Sequence, residues 1–199
     1  MATVVMRTNG RDPMGWLIHG AISGLIAGVV FMLFEMAAAA WSIGPNAVLI
    51  PLRMVGAIVL GRVALDPGYS VVTAGVSGAV VHLTLSALFG SLFGAILPAA
   101  AELDVPMHGG RIVVAATVFG LLLWLINFYG LAPTAGLSWF PNRASPLVQF
   151  TGHTFCYGTV LGLCFQNMVS DRVRVPGHVR TRIGRSDARA TGPTGARDR

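Results

Sequence analysis

The sequence predicts an all-α, polytopic membrane protein: a four-helix bundle with a short interfacial or re-entrant helix and a disordered C-terminal tail. Three observations lead there. Of 199 residues, 54% are hydrophobic and only 11% charged, whereas soluble domains carry about a quarter charged residues. Four long apolar stretches are separated by proline, glycine and charge. Eight of the 14 arginines follow Ser170, and the chain has no lysine. A soluble fold with so few charges would expose large apolar patches, which a bilayer accepts. The mean hydropathy of +0.68 points the same way.

The first apolar stretch runs from Met14 to Trp41, and its core from Leu17 to Ala40 holds 24 residues. At about 1.5 Å per residue this crosses a hydrocarbon layer of about 30 Å with some tilt. Trp16 and Trp41 bracket it at the positions of interfacial aromatics. A cleavable signal peptide is the rival reading, with Arg7 and Arg11 as its basic region. The apolar run is too long for one and contains Glu35. The second stretch runs from Val71 to Leu97, the third from Ile112 to Tyr129 and the fourth from Leu147 to Val169. Asp66-Pro67-Gly68 precedes the second, and Pro133, Pro141 and Pro146 separate the third from the fourth. Val48–Leu65 is apolar but interrupted by Pro51, Arg53 and Arg62. It reads as a short interfacial or re-entrant helix, with a fifth crossing as the alternative.

The layout is therefore a cytoplasmic N-terminus (1–13), a four-helix transmembrane domain (14–170) and an arginine-rich cytoplasmic tail (171–199). Basic segments stay inside, so the tail sets the orientation and four crossings return the N-terminus to the same side. Arg53, Arg62 and Arg143 then fall on the outer side, against that rule. The tail has almost no large apolar residue after Val179, cannot build a core and is expected to be disordered. It contains no aromatic residue for base stacking, so nucleic acid is not expected as a partner. Its expected contacts are anionic lipid headgroups. Cys156 and Cys164 lie about 12 Å apart along one helix and cannot bridge each other, so they read as free thiols.

Two kinds of residue locate the packing and a candidate site. Gly20, Gly24 and Gly28 repeat every four residues in the first stretch. Gly78, His82, Ser86, Gly90 and Gly94 do so in the second, and Gly158 and Gly162 in the fourth. Small residues at that spacing let helix backbones meet in lipid. The ridges predict contact between the first two crossings, with an oligomer interface as the alternative. Polar residues inside crossings are costly. Glu35, His82, Asn127 and His153 all fall in the outer half of the bundle and form one expected polar cluster. Helical geometry puts His153 about 140° from Gly158, the weakest fit of the four. Glu35 must be protonated, paired or near water, and the titratable groups at its depth are His82 and His153.

The cluster admits three roles: interhelical hydrogen bonds, a proton, ion or ligand site, or coordination of haem or a metal. His82, His153 and Glu35 are the metal candidates, and the two histidines the candidate axial ligands of a b-type haem. No C-x-x-C-H motif, Walker loop or nucleophile elbow is present. His19, His108 and His178 lie too far away to join.

Four short segments resemble the YagU-like bacterial inner-membrane proteins. These are Gly24-Leu25-Ile26-Ala27-Gly28-Val29-Val30, Val81-His82, Gly130-Leu131-Ala132-Pro133 and Gly152-His153. The resemblance covers most of the body but not the tail, and the first outer loop departs from it. It implies a small four-helix protein of the bacterial inner membrane with recurring intramembrane histidines, and supplies no substrate or reaction. The expected function is a non-enzymatic accessory or partner-binding membrane subunit, working with a protein partner or as a homo-oligomer. The alternatives are a haem- or quinone-associated subunit of a respiratory or photosynthetic complex, and a proton-linked transporter or stress-response protein.

Overall fold

The structure, a computed structural model, describes residues 13–102 and 109–171. The expectations for 1–12, for the loop at 103–108 and for the tail from 172 lie outside the described residues. Those residues are helical throughout, joined by short turns, with no strand among them.

Helix α1 spans Pro13–Ser42, 30 residues that begin on a proline, where a missing N–H costs nothing. A short turn leads into α2, Ile50–Leu60, and a 3-10 turn, Arg62–Leu65, into α3, Val71–Glu102. Helix α4 runs over Gly110–Thr134 and widens into a π-helical stretch at Ile126–Leu131. After α5, Trp139–Arg143, the chain forms α6 over 146–171, which contains a second π-helical stretch at Gly152–Thr159. Three of these helices are long and apolar enough to cross a membrane: Pro13–Ser42, Val71–Pro98 and Gly110–Thr134. Leu25 and Leu33 on α1, Val76 and Leu88 on α3, and Val114 and Val118 on α4 are exposed. Such surfaces suit lipid and not water.

The third apolar stretch outruns the proline expected to end it. Pro133 lies in the last turn of α4, and the helix closes just beyond. The Leu137 N–H donates to Ala132 O at 2.8 Å and the Gly136 N–H to Pro133 O at 3.2 Å. Gly136 takes a φ of 73°. These paired bonds around a left-handed glycine satisfy carbonyls that the helix end would orphan.

Glycine seams hold the helices together. A Cβ on Gly20 would fall on the Gly90 carbonyl, one on Gly24 on the Ser86 carbonyl, and one on Gly94 on the Trp16 carbonyl. The α1–α3 contact is therefore backbone on backbone. A Cβ on Gly28 would meet the Ser86 side chain. Gly78 faces a different partner: its missing Cβ points at the Leu52 carbonyl, and that of Gly56 at the Ala74 carbonyl, both across the α2–α3 seam. A spacing of four advances about 40° beyond a full turn at 3.6 residues per turn. Three such steps from Gly78 to Gly90 rotate the ridge by about 120°, so one glycine series serves two neighbours. A third seam joins α4 to α6. A Cβ on Gly158 would meet the Ala116 carbonyl, and one on Gly162 would lie 2.7 Å from Val113 Cα. Phe31, Phe93, Leu97, Ile112, Leu161 and Phe165 fill the space between the seams.

The ambiguous segment 48–65 resolves into α2 and the 3-10 turn. Eleven residues reach about 16 Å, half the hydrocarbon thickness, so α2 by itself is too short to cross. Arg53 fastens the turn: its Nη2 donates to Ala64 O and Asp66 O, both at 2.9 Å, and its Nε to Ala64 O at 3.2 Å. Arg53→Leu is expected to cost about 1.5–3 kcal/mol, the range for hydrogen bonds to a charged donor. It should also open residues 62–70 to protease. Arg53→Lys should restore little, because a single ammonium lacks the guanidinium fork. Equal melting temperature and protease resistance in wild type and Arg53→Leu would show that the turn holds without it.

Candidate intramembrane cavity

A cavity of about 290 Å³ opens where α1, α3, α4 and α6 meet, and Glu35, His82, Asn127 and His153 all line it. Each of the four predicted residues arrives on a different helix. Ile58 and Val55 of α2, and Leu137 and Phe140 near α5, contribute to the rest of the wall. Phe89, Phe128, Phe140 and Tyr157 give the lining an aromatic character.

Two π-helical stretches place the residues on the α4–α6 side. Hydrogen bonding from i to i+5 brings residues five apart onto one face, and such stretches gather at functional sites. In α6, His153 and Gly158 are five apart inside one of them, which removes the 140° conflict of the ideal helical wheel. A Cβ on Gly120 of α4 would meet the His153 carbonyl and lie 2.9 Å from Gly158 Cα, so both residues face α4. The other stretch carries Asn127, Phe128 and Leu131 into the same wall.

The hydrogen bonds differ from the expected pairing of Glu35 with a histidine. Glu35 is buried, and its Oε1 accepts from Gln149 Nε2 at 2.6 Å. The histidines turn to backbone carbonyls. His82 Nε2 donates to Gly28 O at 3.0 Å, and His153 Nδ1 donates to Gln149 O at 2.9 Å. A carbonyl can only accept, so each bond fixes which ring nitrogen carries a proton. In the neutral imidazoles His82 Nδ1 and His153 Nε2 are then left as acceptors. Asn127 is half-buried, and its amide has no hydrogen-bond partner among the described residues.

Further bonds and rings fix these groups. The Tyr157 hydroxyl donates to Ser86 O and the Ser86 hydroxyl to His82 O, both at 2.7 Å. Tyr157 of α6 is thereby tied to α3 one turn from His82. The Phe31 ring packs edge-on against His82 and His153, with centroids at 5.3 and 4.7 Å, and Phe128 packs against His153 at 5.6 Å. A Cβ on Gly152 would occupy the Phe31 ring, so this glycine admits the ring that orients both histidines. Gln149, Tyr157 and Phe31 were not singled out in the sequence, because an amide and two aromatics in apolar stretches give no signal of their own.

Among the described residues no group of three or more His, Cys, Asp or Glu side chains is arranged to hold a metal ion. Haem fits poorly as well. His82 spends its Nε2 on Gly28, leaving only Nδ1, and both imidazoles already carry the Phe31 ring. His19 bonds to the Gly15 carbonyl of its own helix, away from the cavity, and Cys156 and Cys164 are free thiols. Comparison with family models, curated proteins and solved structures finds no match to this chain, so the cavity's geometry and chemistry carry the functional reading.

Proposed function

We propose that the chain is a four-crossing protein of the bacterial inner membrane, similar to the YagU-like proteins, with both termini cytoplasmic. In this reading it acts as a non-enzymatic subunit that binds a small amphiphile within the bilayer. The run at 146–171 supports the fourth crossing: at about 1.5 Å per residue it reaches about 39 Å, enough for the hydrocarbon layer.

One observation carries the ligand class. Glu35, His82 and His153 converge with Asn127 on a largely apolar, aromatic-lined cavity, and each histidine is bonded so that its remaining ring nitrogen accepts. Apolar pockets with a few placed polar groups bind small organic molecules. An acceptor-rich one selects a flat apolar body carrying hydroxyl donors, and the headgroup of a hydroquinone has that form.

The test compares trimethylhydroquinone with its dimethyl ether, titrated into detergent-solubilised protein and followed by calorimetry. The hydroquinone should bind saturably. The ether should bind at least tenfold more weakly, about 1.4 kcal/mol or more, because buried acceptors would be left without donors. His153→Phe should remove that discrimination. Equal affinity for the two compounds would refute the donor requirement.

A further inference from the structure

Three arginines sit at the end of the molecule that the charge rule assigns to the outside, and only one has a structural task. Arg53 caps the 3-10 turn. The Arg62 and Arg143 side chains make no hydrogen bond or ion pair among the described residues. They face one recess of about 470 Å³, shared with Val63, Leu65 and Asp66. One carboxylate against two guanidiniums leaves the recess positive.

A second cavity, of about 290 Å³, adjoins the recess and shares Arg143 with it. Its walls are mostly apolar, with Ala38, Ile43, Met54, Val55 and Val148 among them, and its floor is the Glu35–Gln149 pair. The level is that of a membrane interface. Trp41 is 93% exposed beside the cavity residues Ser42 and Ile43. Trp139 is half-buried against the cluster of Ala57, Ala64 and Ala74, and Ala64 follows Arg62 by two residues. An exposed tryptophan at such a position marks headgroup depth.

We propose that this recess and cavity bind one phosphate-bearing lipid, its phosphate held by Arg62 and Arg143 and one acyl chain in the apolar cavity. Two guanidiniums match a phosphate in charge and in hydrogen-bond geometry. The adjoining apolar space distinguishes a lipid from a free anion, which has nothing to place there. The site is independent of any ligand in the histidine-lined cavity and lies on the other side of the Glu35–Gln149 pair.

The experiment titrates full-length protein in a non-ionic detergent with dihexanoyl phosphatidic acid, dihexanoylglycerol and inorganic phosphate. Phosphatidic acid should bind saturably, and the other two at least tenfold more weakly. The double variant Arg62→Gln/Arg143→Gln should weaken phosphatidic acid at least tenfold. The arginine-rich tail is the same in both proteins, so the difference reads the recess. Val148→Trp, which fills the apolar cavity and keeps both arginines, should weaken phosphatidic acid and spare phosphate. Phosphate binding as tightly as the lipid would make this an anion site and overturn the proposal. Equal binding of dihexanoylglycerol would remove the role of the phosphate and overturn it too. Undiminished lipid binding in both variants, with melting unchanged, would place the lipid elsewhere.

Discussion

Gly90→Leu is expected to prevent α1 and α3 from packing, one of the largest effects of any single substitution in the described residues. The cause is geometric. A Cβ at Gly90 would fall on the Gly20 carbonyl and lie 2.7 Å from Gly24 Cα. Those neighbours are backbone, so no rotamer change can clear them. The helices must separate along the seam, and with them go the His82–Gly28 bond and the Ser91 hydroxyl's bond to Leu17 O at 3.3 Å. Overpacking in a well-packed core costs about 1–3 kcal/mol where side chains can yield, and more where they cannot. Here about 3 kcal/mol or more is expected. Gly61→Ala provides the contrast. A Cβ there meets nothing within 4 Å, and its cost comes only from the φ of 79°. Equilibrium unfolding in mixed detergent micelles would rank the two. Gly90→Leu unfolding at the wild-type midpoint would mean that the α1–α3 seam does not hold the fold.

Much of this architecture is legible in the sequence because lipid imposes simple rules. Long apolar runs must be helices, since no water satisfies the backbone. Glycines every fourth residue must meet another backbone if they are to stabilise anything. α1, α3 and α4 could be read on those grounds. The assignment of neighbours was less legible. The ridge from Gly78 to Gly94 reads as one face, yet its own drift divides it between α2 and α1. The site was legible as a set of residues at one depth and not as a bonding pattern. Sequence spacing converts to rotation only at the α-helical pitch, and the π-helical stretches at Ile126–Leu131 and Gly152–Thr159 break that pitch where Asn127 and His153 sit. Nothing in Ile126-Asn127-Phe128-Tyr129 or Gly152-His153-Thr154-Phe155 announces a wider turn. The partner of Glu35 is hidden in the sequence for a chemical reason. Charge pairing directs attention to titratable groups, whereas a buried carboxylate is equally served by an amide N–H.

That amide makes the Glu35–Gln149 pair the second place where a large effect is expected, and the pair forms the wall common to both cavities. Gln149→Leu leaves a buried carboxyl with one hydrogen bond fewer. The expected cost is about 1.5–3 kcal/mol, the range for losing a hydrogen bond to a charged group. Glu35→Gln keeps an acceptor oxygen for the Gln149 N–H and should cost less than about 1 kcal/mol. Glu35→Leu strands the Gln149 amide instead, at about 1–3 kcal/mol. Replacing both partners removes both unsatisfied groups, so Glu35→Leu/Gln149→Leu should be more stable than the sum of the single variants predicts. Steric-trap or mixed-micelle unfolding of these variants forms a double-mutant cycle, and a coupling of about 1–2 kcal/mol is expected for groups in direct contact. Additive costs would mean that carboxyl and amide are each satisfied by something else, such as water entering from the outer cavity. Coupling would instead establish the pair as a closed wall. The hydroquinone site and the lipid site are then separated by one hydrogen bond of 2.6 Å, and breaking it in Gln149→Leu should let each ligand alter the affinity of the other.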